Sequence, residues 1–338
     1  MELANLPSGC AARFWTDKRF LLLRLKVARS AAEIDELRSA WTSMVAPGLS
    51  LFQSFRWNRL AAEHFATREA PYFVFVENDN GAAIIPAVIN TECAELGIAG
   101  ERLFDYRDYL AIGDRQPLEH AWEHLASLSL SVSIAGICRP EAAIWKRLPK
   151  AFFSRAPKLS PQEITSEQFL TNHSRAFSRL RKLERLGLEI RQYSGQTPVV
   201  REIYQRRARE SASDELFRDP LRVAFMIAVC REEASHCEVF TFEHGGTLAA
   251  ALVTFRDHDF RRFYTTYYNR AWARYSPGVS LLFEISRRSL EQGLSFDLMT
   301  GEQSYKMRIA QSAQDLFEVK ATAAELRAIF PFTTEQAA

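Results

Sequence analysis

The sequence contains little glycine, proline or cysteine and almost no excess of either charge. Its 338 residues include 14 glycines and 13 prolines, which excludes collagen-like and low-complexity architectures. The 43 Lys and Arg residues nearly balance the 41 Asp and Glu residues, at a net charge of +2, so a dedicated nucleic-acid-binding protein or a polybasic membrane binder is not indicated. Apolar residues make up 47% of the chain, as in globular proteins, and the length suits two domains of about 150 residues.

Several segments and motifs are also missing. The five cysteines form no C-x-x-C pair, so neither a disulfide framework nor a zinc knuckle is expected. The first residues lack a basic stretch followed by a long apolar core, and no run of about 18 apolar residues occurs, so we expect no signal peptide and no transmembrane helix. No G-x-S-x-G, Walker or G-x-G-x-x-G motif is present, which argues against hydrolase, NTPase and dinucleotide-binding functions. The sequence thus predicts a cytoplasmic protein.

The first half of the chain predicts helices followed by a β-hairpin. Ser30 and Glu33 have the spacing of a capping box at the start of a helix. The Asn80-Gly81 pair between two apolar runs is a strong hairpin signal. His120 and His124 lie four residues apart on a predicted helix without an evident third ligand, so we expect surface histidines and no metal. The other expected features are an end of the first helix at Pro47-Gly48, helices over 52–65 and 118–128, and a strand over 131–137.

A connecting stretch separates the two halves. Residues 150–161 are polar and contain prolines, and we interpret them as the beginning of the boundary. Thr165 and Gln168 then have capping-box spacing and open a predicted helix that Gly187 ends.

The second half repeats the order of elements of the first. Asp219-Pro220 has the chemistry of a helix start, and a second hairpin is expected at Gly245-Gly246. A third strand over 261–268 follows. The repeat predicts two tandem α/β domains, which we place at residues 20–165 and 166–330.

The most informative stretch is a small-residue loop that leads from this third strand into a helix. A helix N-terminus of this kind offers free backbone N–H groups and the positive end of the helix dipole, and it binds phosphate or pyrophosphate. An ordinary loop entering a helix is the alternative. The candidate donor-binding residues are Tyr275, Ser276, Gly278, Val279 and Ser280.

The order helix, three-strand meander, glycine-bearing loop, helix and strand is that of GNAT acyltransferases. Five stretches resemble the bacterial CelD-like group of this superfamily, which is associated with cellulose and exopolysaccharide synthesis and is related to the FemAB transferases. The resemblance covers about residues 30–320. The stretches are Trp41, residues 52–57, 105–108 and 275–278, and residues 296–306.

The resemblance implies an α/β (α+β) fold of two tandem GNAT-like domains, each with a mixed, mostly antiparallel sheet flanked by helices. It also implies acetyl-CoA or another acyl-CoA as co-substrate, and an amine or hydroxyl acceptor on a small molecule, sugar or polysaccharide precursor. The usual pyrophosphate motif, Q/R-x-x-G-x-G/A, aligns with Tyr275, Gly278 and Ser280, so only its first glycine is retained. The first domain shows no comparable loop, and we expect it to be degenerate and to shape the acceptor site.

The GNAT reaction is direct attack of the acceptor on a thioester, which needs a base, an acid and stabilisation of the developing charge. Asp297 or Glu302 is the candidate base, Tyr305 the candidate acid, and Lys306 a candidate to balance phosphate or thiolate charge. A structural role, such as a cap or a salt bridge, is the alternative for each. The candidate substrate-binding residues are Asp105, Asp108, Tyr264 and Tyr268.

A basic segment is compatible with either an acyl-CoA donor or an aminoacyl-tRNA donor. Ten Lys and Arg residues and three acidic residues lie between Arg175 and Arg209. They form either a solvated helix face or an anion-binding surface for CoA, an acidic precursor or tRNA. An aminoacyl-tRNA-dependent transferase of the FemAB kind is therefore the first alternative, and nucleic acid is expected only there. A non-catalytic GNAT-like scaffold in polysaccharide biosynthesis is the second.

Overall fold

The structure is a computed structural model that describes residues 23–45, 49–210 and 215–331. The predicted helix end at Pro47-Gly48 and the N-terminal stretch considered for a signal peptide lie outside the described residues.

The first half of the chain folds into three helices, a series of short strands, and a fourth helix between two strands. Ser30 accepts a hydrogen bond from the backbone of Glu33 and caps the first helix, as the spacing predicts. The elements in chain order are β1 (Arg24–Ala28), α1 (Ala31–Asp35), α2 (Arg38–Met44), α3 (Phe55–His64), β2 (Glu69–Pro71), β3 (Phe73–Asn78), β4 (Gly81–Ile85), β5 (Ala87–Asn90), β6 (Glu95–Ile98), β7 (Leu110–Gly113), α4 (Gln116–Ser127) and β8 (Ser131–Ile137).

The second half contains longer strands and longer helices. Its elements are β9 (Lys150–Leu159), α5 (Ser166–Asn172), α6 (Ser174–Arg185), β10 (Glu189–Ser194), α7 (Pro198–Glu210), α8 (Glu215–Arg218), α9 (Pro220–Glu232), β11 (Cys237–His244), β12 (Thr247–Asp257), β13 (Phe260–Tyr268), α10 (Pro277–Glu291), β14 (Ser295–Asp297), α11 (Ser304–Ile309), β15 (Ser312–Ala321) and α12 (Ala323–Ile329).

Local sequence signals place several of these elements correctly. The hairpin at Asn80-Gly81 joins β3 and β4, and the one at Gly245-Gly246 joins β11 and β12. The capping box of Thr165 and Gln168 is present in full. The helix predicted from Thr165 to Gly187 is instead two helices, because the chain departs from helical geometry at His173, whose ring packs against the core.

Two sheets organise the molecule. The smaller has the antiparallel order β1-β3-β4-β7, and the larger has the order β10-β11-β12-β13-β14-β9-β15-β8-β6-β5-β2. Most pairings are antiparallel, and helices flank both sheets, so the fold is the mixed α/β arrangement that the sequence predicts.

The large sheet runs through both halves of the chain. Residues 150–159, which the sequence analysis interprets as a connection, form β9 near the centre of this sheet. β9 pairs with β14 and β15, and β15 pairs with β8 of the first half, so backbone hydrogen bonds join the halves. The division near residue 165 stays a prediction.

An aromatic cluster lies where the halves meet. The fully buried Trp57 of α3 makes edge-to-face contacts with Phe104 from the first half and with Phe225, Phe255 and Tyr264 from the second. Such contacts add to the large area that each ring buries. The cluster therefore fixes the two halves against each other.

Across the described ranges, no helix combines the length and the apolar character needed to cross a bilayer.

Candidate functional site

β13 and β14 separate soon after they meet. They pair in parallel only where Phe260–Arg262 faces Ser295–Asp297, whereas β13 continues to Tyr268. Beyond Arg262, no strand of the described residues lies beside the edge of β13 that faces away from β12. We call the space between residues 263–268 of β13 and the loop 298–301 after β14 the wedge. A register shift in the β12–β13 pairing at Tyr264 accompanies it, and such bulges often occur beside active sites.

The N-terminus of α10 lies at the open end of the wedge. A Cβ atom added to Gly278 would lie 3.4 Å from Thr266 Oγ1 and 3.6 Å from Tyr268 Cβ, so the first turn of the helix packs on the end of β13. Ser276 has φ 50° and makes no side-chain cap, and Pro277 has no N–H. Ser280 already donates to Ser276 O, which leaves the amides of Gly278 and Val279 as the donors available at this terminus.

A cavity of about 480 Å³ lies beside this first turn, and we call it the arginine cavity. Arg175 and Arg179 of α6 and Arg308 of α11 line it together with Val279 and Ser280 of α10. His173 also lines it, and burial together with the charge of Arg308 lowers the pKa of this imidazole. Three guanidinium groups beside a helix N-terminus favour a ligand with several negative charges.

Asp297 lies at the closed end of the wedge and is fully buried. Tyr106 Oη donates to both carboxylate oxygens at 2.7 Å, Arg262 Nη1 donates at 2.5 Å, and the backbone N–H of Met299 donates at 2.9 Å. Arg262 also bonds to the buried Asp257. Because its oxygens are fully engaged, Asp297 joins β13, β14 and the 105–108 loop rather than facing a ligand.

Asp105, Thr300 and Lys306 come together just beyond β14. Lys306 is buried and donates to Thr300 O at 2.7 Å, and burial lowers its pKa to about 8, opposed by the charges of Asp105 and Asp297. Burial raises the pKa of Asp105, opposed by the polar group of Thr300 and by the charge of Lys306. The structure thus places a carboxyl from the first half beside an ammonium from the second.

Tyr305 lies against the wedge. Its ring meets that of Phe263 edge to face, with 6.5 Å between the centroids. Burial raises the pKa of Tyr305, opposed by the charge of Arg207. The phenol is therefore protonated at neutral pH and can donate a proton.

Four other predicted residues lie away from this cluster. Glu302 is exposed and forms a 3.5 Å ion pair with Arg155 on the surface. Asp108 is buried and accepts hydrogen bonds from Arg139 and Trp145. Tyr264 packs into the aromatic cluster around Trp57, while Tyr268 is half exposed at the end of β13. Among the predicted donor-site residues, Tyr275 packs against Trp272.

A second cavity, of about 640 Å³, reaches the same cluster from the first half. We call it the acidic cavity, because Glu69, Glu95, Glu101 and Asp105 all line it. Its apolar walls come from β5, β6 and β8, and Thr300 lies at its border with the wedge. The other lining residues are Val88, Asn90, Leu96, Gly97, Ile98, Arg102, Phe104, Arg107, Ser133, Ile134, Ala135, Gly136 and Phe153.

Glu69 and Arg107 are two lining residues that the sequence does not predict. Burial raises the pKa of Glu69 to about 7, opposed first by the charge of Arg107, and its carboxylate accepts a hydrogen bond from the backbone N–H of Gly100 at 3.1 Å. Arg107 donates to Ala135 O, and burial lowers its pKa. Both residues have charged neighbours in the sequence, so no local signal marks them, and only the fold brings them together.

The described ranges contain no group of three or more His, Cys, Asp and Glu side chains that could hold a metal ion. His120 Nδ1 instead lies 3.3 Å from Glu123 Oε2, and His124 forms a hydrogen bond with Tyr72 Oη.

Comparison with known proteins bears on the domain family and the fold. Residues 169–307 match the family described as acetyltransferase (GNAT) domain, and no curated protein matches the sequence. A conserved protein of unknown function from Bacteroides thetaiotaomicron has a similar structure, with a TM-score of 0.58 at 10% identity over 88% of this chain and 100% of that one.

Two further structures are similar over nearly their whole length. The C-terminal domain (DUF2156) of a candidate lysylphosphatidylglycerol synthetase from Agrobacterium fabrum has a TM-score of 0.58 at 11% identity, over 90% of this chain and 99% of that one. FemX has a TM-score of 0.55 at 9% identity, with the same coverage. At these identities the likeness shows the fold. Residues 169–307 thus match an acetyltransferase (GNAT) domain, and the chain as a whole shares its fold with these structures.

Proposed function

We propose that the protein transfers an acetyl or other acyl group from acyl-CoA to an amine, or to a hydroxyl, of a small-molecule, sugar or polysaccharide-precursor acceptor. The observation that carries the proposal is the wedge, which has anion-binding groups at its open end and Asp105, Tyr305 and Lys306 along it. We place the reaction in the cytoplasm, where acyl-CoA is made. The link to the CelD-like group belongs to this proposal.

The donor would bind through its phosphates. The amides of Gly278 and Val279 and the dipole of the 15-residue α10 suit the pyrophosphate. The arginine cavity next to them supplies three positive charges for the remaining negative charge of CoA. The unpaired edge of β13 then leads from this end of the wedge to the loop that contains Thr300, and the acyl chain would follow it.

The transfer itself would use side chains from both halves. The acceptor attacks the thioester carbonyl carbon while its proton passes to the Asp105 carboxylate, and a new C–N or C–O bond forms. The C–S bond breaks, and the thiolate takes a proton from Tyr305 beside the charge of Lys306. Asp105 then releases its proton to solvent and Tyr305 regains one, so the products are the acylated acceptor and free CoA. Asp297 is a positioning residue in this scheme.

We place the boundary between the two GNAT-like units near residue 165, with the donor site in the second unit. Asp105 and the acidic cavity belong to the first unit, which supports the view that this unit shapes the acceptor side.

The test is a thermal-shift titration with acetyl-CoA, longer acyl-CoAs and free CoA. A ligand that binds only the native state raises its apparent stability, so we expect a saturable shift at micromolar concentration. Gly278→Asp and Ser280→Glu should abolish the shift, because they place a negative charge against the phosphates. Gly278→Ala is the matched control, since a Cβ atom at this position meets only ordinary contacts. Equal shifts in Gly278→Asp and Gly278→Ala would remove the donor assignment.

An aminoacyl-tRNA donor is the second candidate, and the arginine cavity and the likeness to FemX favour it. In that case tRNA would bind with a steep dependence on salt, and acyl-CoA would produce no shift. If neither tRNA nor acyl-CoA binds, the non-catalytic scaffold is the favoured alternative.

A further inference from the structure

We infer that the acidic cavity binds a neutral saccharide, with the ring of Phe153 stacked on the apolar face of one pyranose. The inference rests on the proposed function for the role of this ligand, which would be the acceptor. The binding itself does not depend on acyl-CoA.

Two β-bulges lie side by side at the wall of the cavity. The pairing of β15 with β9 shifts by one residue at Phe153, and its pairing with β8 shifts by one residue at Gly136. Both of these extra residues line the cavity. A bulge redirects side chains away from the regular alternation of a strand, and bulges often occur beside functional sites. The sheet therefore departs from regular pairing twice at this wall.

The bulge at Gly136 brings the segment 105–107 to the cavity. Gly136 has φ 87°, and a Cβ atom there would lie 2.4 Å from Asp105 O, so this approach requires glycine. The backbone N–H of Arg107 donates to Gly136 O at 3.0 Å, and Arg107 Nη1 donates to Ala135 O. Backbone contacts with β8 thus hold Asp105 and Arg107 at the cavity.

The bulge at Phe153 leaves a large ring half exposed at the cavity. Phe153 is 44% exposed, although β9 lies near the centre of the large sheet. Its neighbour Phe152 is 53% exposed, is not among the lining residues, and has its ring centroid 5.8 Å from Arg155 Cζ. An exposed aromatic ring beside polar groups suits a ligand with one apolar face. A pyranose has such a face, made of its C–H groups, and a rim of hydroxyls.

The charges in the deep part of the cavity are balanced without a charged ligand. Burial raises the pKa of Glu69 to about 7, so this carboxyl keeps its proton below that pH. The other charged groups there and just beyond are three carboxylates and three cations that interact with one another. They are Asp105, Asp257, Asp297, Arg107, Arg262 and Lys306.

Opposite charges are also matched at the side of the cavity. Glu101 and Asp219 form ion pairs with two arginines, Arg68 and Arg222. The remaining charged lining residues, Glu95 and Arg102, have opposite signs. A charged ligand would therefore add an unbalanced charge to a partly buried site, whereas a neutral ligand would not.

The polar groups of the lining include both donors and acceptors of hydrogen bonds. Carboxylates accept, guanidinium groups donate, and Asn90 and Ser133 do both. Saccharide hydroxyls match all of these groups, because each hydroxyl both donates and accepts. The volume of about 640 Å³ is within the range of small-molecule sites and suits one pyranose ring with space for a second ring or for water.

The experiment measures saccharide binding to the full chain in the absence of acyl-CoA. The panel contains the methyl pyranosides of glucose, galactose and mannose, together with cellobiose, and saturation-transfer difference NMR detects binding. Sorbitol, which has the hydroxyls without the ring, and putrescine, which is cationic, are the comparison ligands. We expect at least one pyranoside to bind, with the strongest transfer to the C–H protons of one ring face. Absence of binding by the whole panel, or equal binding of sorbitol or putrescine, would overturn the inference.

The two neighbouring phenylalanines provide a matched pair of variants. Phe153→Ala should weaken pyranoside binding about tenfold, because it removes the stacking contact. Phe153→Tyr keeps the ring and should bind within about twofold of the original protein. Phe152→Ala removes an equally exposed ring outside the cavity and should leave binding unchanged. Equal affinities in Phe153→Ala and Phe152→Ala would show that Phe153 is not the stacking residue.

The two proposals fail in different ways. A protein that binds a pyranoside but gives no thermal shift with any acyl-CoA would contradict the proposed function alone. A protein that gives the thermal shift but binds no pyranoside would contradict only the saccharide site.

Discussion

At the scale of single residues, burial gives three charged groups three different roles. Asp297 has every oxygen engaged and holds strands together. Lys306 keeps its ammonium on a loop carbonyl beside Asp105, with a pKa lowered by burial. Glu69 lines a cavity, and burial raises its pKa. Hydrogen-bond partners, rather than residue type, separate the structural carboxylate from those that can meet a ligand.

The lowered pKa of Lys306 predicts how activity depends on pH. Burial brings this pKa to about 8, so the ammonium, which would face the leaving thiolate in the proposed reaction, is lost as the pH rises through 8. We expect kcat to fall above pH 8 in the original protein. In Lys306→Arg the charge persists, so the fall should move upward by at least one pH unit. A kcat profile from pH 6 to 10 measures both, and identical profiles would show that Lys306 does not act through its charge.

The raised pKa of Glu69 predicts how stability depends on pH. The folded protein holds this proton up to about pH 7, whereas the unfolded chain releases it near the usual glutamate pKa of 4.5. The contribution is therefore fully present below pH 4.5 and is lost as the pH rises through 7, and it amounts to about 3 kcal/mol. Glu69→Gln should gain stability relative to the original protein between pH 5 and pH 8. Urea unfolding at these two pH values tests the difference, and a constant difference would contradict it.

At the scale of elements, the early end of β14 creates the wedge. β14 pairs with β13 over only three residues, and the buried network around Asp297 fixes the point of separation. The register shift at Tyr264 turns this residue into the aromatic cluster, while α10 begins against the far end of the same strand. The wedge is thus bounded at one end by a salt-bridge network and at the other by a helix terminus.

The hydrogen-bond network around Asp297 predicts that one substitution there greatly lowers the free energy of unfolding. Asp297→Asn removes the charge that pairs with the buried Arg262, and breaking a buried pair in this way should lower the free energy of unfolding by about 3 kcal/mol. Asp315→Asn is the matched control, because its ion pair with Arg155 is exposed and should contribute less than about 1 kcal/mol. Urea unfolding of both variants tests this, and equal losses would mean that the network does not hold the strands.

At the scale of the whole molecule, the sequence predicts local features such as turns and helix caps, but it does not predict contacts between residues that are far apart in the chain. The hairpins at Asn80-Gly81 and Gly245-Gly246 follow from turn chemistry and the capping box of Thr165 from its spacing, and all three are present. The polar composition of residues 150–159 suggests a connecting stretch. They form β9 instead, because they pair with a strand far along the chain. The proximity of Asp105 to Lys306 likewise spans the two halves, and no local pattern contains it.

The sheet that joins the two halves of the chain determines how cooperatively the protein unfolds. The strands β8, β15 and β9 hydrogen-bond in sequence across the middle of the large sheet, and Trp57 packs on rings from both halves. The halves should therefore unfold as one unit. Trp57→Ala should lower the unfolding free energy by about 4 kcal/mol, as for other large aromatic side chains removed from a core.

Hydrogen exchange measured by mass spectrometry distinguishes one unit from two. Peptides from β3 and β4 report on the first half, and peptides from β11 and β12 report on the second. If the halves unfold together, both sets lose the same protection in Trp57→Ala. Loss in only one set would show that each half unfolds by itself, and the shared sheet would then be a contact between two independent units.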